Sequence, residues 1–176
     1  MKKILLFIIG LVALVIIIAA FANKDYSVVR SVKINSDKEI VFNYVKYLKN
    51  QDLFSVWSNM DPDMKKTYTG KDGTVGFVSR WESENPDVGV GEQEIIKIDP
   101  GNRIDFELRF IEPWNSTSPA YFTFETISNN KTKVSWGFDG HIDFPMNLML
   151  LFMNMEEVLG PDLQKGLDNL KTIMEK

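Results

Sequence analysis

From Ile4 to Ala22 the chain runs for 19 residues without a charged or polar side chain, interrupted only by Gly10. As a helix rising about 1.5 Å per residue, this run is roughly 28 Å long, the thickness of a bilayer's hydrocarbon core. Residues 1–23 are therefore set apart as a transmembrane anchor or signal segment, and residues 24–176 as the folded domain. Ala20-Phe21-Ala22 fits an A-x-A cleavage pattern, but the run exceeds the signal core of about 7 to 15 residues, which favours an uncleaved anchor. Lys2 and Lys3 precede it. By the positive-inside rule they predict a cytoplasmic N-terminus, a single pass through residues 4–22 and a domain on the extracytoplasmic side.

The remaining composition removes several functions. There is no cysteine, so disulfides, thiolate metal sites and a cysteine nucleophile are excluded. His141 is the single histidine, and no metal site is predicted from it. Without Lys2 and Lys3 the domain holds 18 basic and 24 acidic residues, a net charge of −6. Such a domain lacks the basic excess of a nucleic-acid binder and gains nothing from anionic headgroups. Gly89-x-Gly91 lacks the third glycine and the strand–loop–helix setting of a dinucleotide site; it reads as a bend in a sheet. No cofactor is expected.

The order of elements follows from periodicity. Tyr26, Val28, Arg30, Val32 and Ile34 alternate as a strand. Ser36 and Glu39 have capping-box spacing ahead of a helix carrying Ile40, Val41, Tyr44, Val45 and Leu48. A second short helix is predicted over 50–57, with Leu53, Phe54 and Trp57 on one face. Turns then recur at 69–73, 85–91, 99–102 and 128–131. Between them Ile104, Phe106, Leu108 and Phe110 alternate with charged residues, as Ala120, Phe122 and Phe124 and then Val134, Trp136 and Phe138 alternate in their own segments. This is an antiparallel meander with one buried face. The residues from Glu112 to Pro119 read as a long connection able to cap or gate a pocket. Asn147 to Leu159 is Met- and Leu-rich, Gly160-Pro161 is expected to punctuate, and Leu163, Leu167, Leu170 and Met174 form a helical stripe.

This order, with particular residues, resembles the START-like SRPBCC superfamily, and within it bacterial polyketide cyclase/dehydrase-like members. The residues are Val32-Lys33-Ile34-Asn35, Val41 to Val45, Trp57, Gly70, Asp72-Gly73, Val75-Gly76, Trp81 and Val88 to Gly91, then Thr132 to Trp136, Gly160 and Gly166 to Lys171. The resemblance implies an α+β helix-grip fold: a seven-stranded curved antiparallel sheet gripping a long C-terminal helix, with an apolar cavity between them. It carries no specific chemistry, because one fold hosts carriers, enzymes and co-chaperones.

Under that resemblance the expected ligand-binding lining is Trp57, Trp81, Phe106, Leu108, Phe110, Phe122, Phe124, Trp136, Phe138, Met149, Phe152 and Met153. Aromatic and methionine side chains adapt to a hydrophobic small molecule or lipid. No catalytic residue is assigned. Glu92, Glu94, Arg80 and Asp139 would be candidates in a cyclase or dehydratase if they faced inward. His141, flanked by Asp139 and Asp143, is expected on the outer face. Membrane-tethered hydrophobic binding is the leading reading. A polyketide cyclase/dehydratase-like enzyme and a protein-interaction or co-chaperone module are the alternatives.

Overall fold

In the computed structural model, which describes residues 2–176, the first strand pairs with the last and extends the meander by one edge strand. Strands β1 (Asp25–Ile34), β2 (Lys65–Thr69), β3 (Val78–Glu82), β4 (Val90–Asp99), β5 (Arg103–Glu112), β6 (Ser116–Ser128) and β7 (Lys131–His141) form one sheet in the order β1-β7-β6-β5-β4-β3-β2. Every pairing is antiparallel. Between β1 and β2 lie helices α2 (Lys38–Val45) and α3 (Leu48–Gln51) and a 3-10 turn at Trp57–Asn59. The C-terminal helix α4 (Met155–Met174) lies along β1. The helix-grip architecture expected from the sequence is present.

The core forms where the inner face of the sheet meets α4 and α2. Ile104, Phe106, Phe122, Phe124 and Val134 from the sheet, Leu163, Leu167 and Leu170 from α4, and Val41, Phe42 and Val45 from α2 are buried together. Each such aliphatic or aromatic side chain contributes about 1.5–3 kcal/mol on burial. Gly166 lets α4 approach the sheet: a Cβ there would lie 2.7 Å from the Trp136 ring.

Four local expectations are corrected. Helix α2 is capped at Asp37 rather than by a Ser36–Glu39 box; the Asp37 carboxylate instead accepts the Asn130 backbone N–H. The second helix is shorter than predicted and ends at Gln51, which buries Phe54 and leaves Leu53 exposed. The connection after β5 spans only Pro113 to Asn115, because Ser116 already pairs with Phe110. Finally, α4 runs unbroken through Gly160-Pro161 and is capped by the Asn154 side chain, which accepts from Glu156 N–H. The segment before it, Met146–Leu151, is a separate 3-10 helix.

Helix α1 (Lys2–Phe21) is long and apolar enough to cross a membrane. Among its described residues only Ala19 is buried. Ala19 packs where the 3-10 helix meets α1: the fully buried Asn147 donates from Nδ2 to the Ala19 carbonyl at 2.7 Å and to the Ala22 carbonyl at 3.1 Å.

Candidate functional site

Between the inner face of the sheet and the helices lies a cavity of about 310 Å³. One wall is aromatic and aliphatic. Leu108 and Phe110 of β5, Trp136 and Phe138 of β7, Trp81 of β3 and Trp57 of the 3-10 turn all line it. Trp136 is held by stacking on Phe122 at 4.8 Å between ring centroids, and by edge contacts with Phe54 and Trp57. Trp81 lies over Gly91, where a Cβ would collide with the Trp81 ring and lie 2.8 Å from the Arg109 carbonyl. Glycine at that position is what makes room for the indole. Its Nε1 donates to the Val88 carbonyl at 3.4 Å, tying the β3–β4 turn to the cavity.

The opposite part of the lining is polar and comes from α3 and β2. The Asp52 carboxylate accepts from Lys66 Nζ at 2.8 Å, from the Tyr68 hydroxyl at 2.6 Å and from Ser58 Oγ at 3.2 Å. Both side chains of the Asp52–Lys66 pair are 21% exposed, so the pair is shielded more than a surface ion pair is. Burial first, and the Asp52 hydrogen bond second, push the Tyr68 phenol above its ordinary pKa. Beside them Gln51 is 5% exposed. Its Oε1 accepts from Gln93 Nε2 at 3.3 Å, while its own Nε2 has no partner among the described residues. A buried amide N–H left unpaired costs about 1–3 kcal/mol, and a ligand acceptor would recover it.

The cavity has a direction. Among its half-exposed lining residues, Met64, Trp81, Val88, Phe110, Phe138 and Leu159 come from the ends of elements that the antiparallel order gathers where α1 joins β1. Leu48, Gln51, Ala120, Trp136 and Leu163 are buried and close the interior.

A family model described as "Polyketide cyclase / dehydrase and lipid transport" matches residues 25–175. The chain belongs to this family. No curated protein matches the sequence significantly. Among solved structures, truncated norcoclaurine synthase from Thalictrum flavum superposes with a TM-score of 0.62 at 10% identity, covering 85% of this chain and 92% of that one. A protein from Chromobacterium violaceum gives 0.59 at 15% identity, covering 85% and 97%. The Aha1 dimer from Colwellia psychrerythraea gives 0.55 at 15% identity, covering 85% and 96%. At these identities the likeness is one of fold.

For this member of the polyketide cyclase/dehydrase and lipid transport family, the twelve residues expected from the sequence fall into three places. Trp57, Trp81, Leu108, Phe110, Trp136 and Phe138 line the cavity. Phe106, Phe122 and Phe124 do not; they are buried in the core behind it. Met149, Phe152 and Met153 lie elsewhere, because the 3-10 helix that holds Met149, and that Phe152 and Met153 follow, packs against the end of α1 rather than over the sheet. Glu92, Glu94, Arg80 and Asp139 are on the outer face, each next in strand to an inward residue. Glu92 and Glu94 bind Arg109 at 2.6 and 2.8 Å, and Glu107 joins them at 2.5 Å. His141 also lies outside the cavity, with Nδ1 2.6 Å from Asp25 and Nε2 3.4 Å from Asp143.

Sequence reasoning missed Gln51, Asp52, Lys66 and Gln93. Lys66 had a readable signal: it shares strand parity with the aromatic Tyr68. Gln93 shares parity with the buried Ile95.

Proposed function

We propose that the domain binds an amphipathic small molecule or lipid, its apolar body against the Trp81–Trp136–Phe138 wall and an acceptor group at the Gln51 amide. The observation that carries this is a buried, unpartnered amide donor on an otherwise largely apolar cavity. Burial supplies the affinity. At roughly 0.8 kcal/mol per methylene, about ten carbons provide about 8 kcal/mol before ordering costs are subtracted. Membership of a family described by cyclase, dehydrase and lipid transport supports a hydrophobic ligand. Helix α1 tethers the domain to a membrane, with Lys2 and Lys3 on the cytoplasmic side and the cavity on the other.

A second reading, catalysis on a polyketide-like substrate, is favoured by the Asp52–Lys66–Tyr68 group. A cation and a hydroxyl next to a carboxylate at a cavity wall can orient and polarise a substrate carbonyl.

The test is to extract the full chain, purified from its membrane, with organic solvent and identify what is released by mass spectrometry. Two cavity-filling variants, Ala120→Leu and Ser79→Trp, serve as comparison. A compound present with the wild type and depleted in both variants is the expected result. Equal extracts from all three would overturn the binding reading. Under the catalytic reading, Lys66→Met and Asp52→Asn carry a different compound from the wild type, the unconverted substrate.

A further inference from the structure

The segment from Phe144 to Met155 contains no charged residue. Its large side chains are not buried by the domain: Phe152 is 87% exposed and Met146 59%, and Phe144, Leu151 and Met153 are exposed as well. A contiguous apolar patch of this kind on a folded domain marks an interaction surface. What meets it is indicated by its position. Asn147, inside the segment, is hydrogen-bonded to the Ala19 and Ala22 carbonyls at the C-terminal end of α1. The apolar run of α1 ends at Ala22, so Ala19 lies about 4.5 Å inside that end along the helix axis. A segment seated at this level is at the depth where interfacial helices place their apolar faces, about 5–10 Å into the headgroup and acyl boundary.

Taking α1 as the membrane-spanning helix of the reading above, we infer that the 3-10 helix Met146–Leu151 with Phe152 and Met153 rests in the lipid surface of the bilayer that α1 enters. Trp114 supports the same plane. It is 79% exposed in the β5–β6 turn, which the antiparallel order places at the end of the sheet holding Asp25 and His141. An indole there suits the membrane interface. The contact is apolar and independent of lipid charge, as a domain of net charge −6 requires. It also turns the half-exposed end of the cavity toward the acyl chains.

The absence of cysteine allows a direct test with single-cysteine variants of the full chain in phosphatidylcholine vesicles. Leu11→Cys, Met146→Cys, Phe152→Cys and Asn129→Cys are each labelled with bimane, and lipids carrying a nitroxide at a deep acyl carbon, for position 11, or at a shallow one, for the others, act as quenchers. Asn129 is exposed in the β6–β7 turn at the far end of the sheet. The expected result is quenching at positions 11, 146 and 152 and none at 129. Quenching at 11 with none at 146 and 152 overturns the surface contact while leaving α1 in the membrane. No quenching at 11 refutes the membrane-spanning reading and the surface contact with it. Positions 146 and 152 shielded from aqueous iodide yet unquenched by lipid would assign the patch to a second copy or another protein, and also overturn the proposal.

Discussion

The Arg30 guanidinium occupies the space that a Cβ on Gly160 would need, with Cζ 2.6 Å from that position. Arg30 reaches from the inner face of β1 beneath α4, where it pairs with the Glu156 carboxylate and donates to the Glu156 carbonyl at 2.9 Å. The first turns of α4 are thus held to the sheet by a cation as well as by the apolar Met155 and Leu159. Gly160→Ala should destabilise the domain by about 1–3 kcal/mol, the usual cost of overpacking. In an Arg30→Ala background the same change should be neutral or gain up to about 1 kcal/mol from helix propensity. Chemical denaturation of the four chains checks this, and additive effects would show that the two residues do not compete for space.

Gln51→Leu separates folding from binding. Removing the unpartnered Nε2 offsets the loss of the Oε1 bond from Gln93, so stability should change by less than about 1 kcal/mol. Retention of an acceptor-bearing ligand should fall by roughly tenfold, one hydrogen bond's worth. Thermal melts and quantified solvent extracts of the same preparation give both values.

The Tyr68 phenol should titrate above its ordinary 10.0, with burial the larger cause and the Asp52 carboxylate the next. A phenol pKa raised by folding favours the protonated form. Its contribution is complete below pH 10 and is lost as pH rises toward the folded value. Burial raises the Tyr26 and Tyr44 phenols as well, so alkaline ultraviolet titration should show several late tyrosines, of which Asp52→Asn shifts one earlier and Tyr68→Phe removes that one.

His141 should titrate above 6.5, chiefly because it hydrogen-bonds Asp25, with Asp143 adding attraction. The sign is that of a raised base. The stabilisation is full below pH 6.5 and disappears as pH rises through the folded pKa. Proton NMR of the single histidine reads the value directly, and Asp25→Asn should bring it back toward 6.5.

The meander and the α4 stripe were legible because local period reports burial directly. Leu163, Leu167 and Leu170 are buried as their spacing implied. The facing of Glu92 and Glu94 was not legible, because β4 shifts register between Ile95 and Lys97. That bulge inserts Ile96 and puts Ile95 and Ile98 on the same inner face, where simple alternation opposes them. The polar wall was hidden for another reason. Asp52 and Lys66 belong to different parts of the chain, and only side-chain contacts between the end of α3 and β2 join them. The methionine-rich segment misled because it is apolar on every side, so its sequence alone does not say which side meets the fold and which remains bare.

The Asn147 carboxamide also fixes an azimuth. Because the Ala19 and Ala22 carbonyls at the end of α1 both accept from one side chain of the domain, turning the helix about its axis against the domain would break both bonds. The domain stands on a keyed pedestal, with no swivel beneath it. Any neighbouring helix that selected one flank of α1 would therefore also select which flank of the sheet it looks upon.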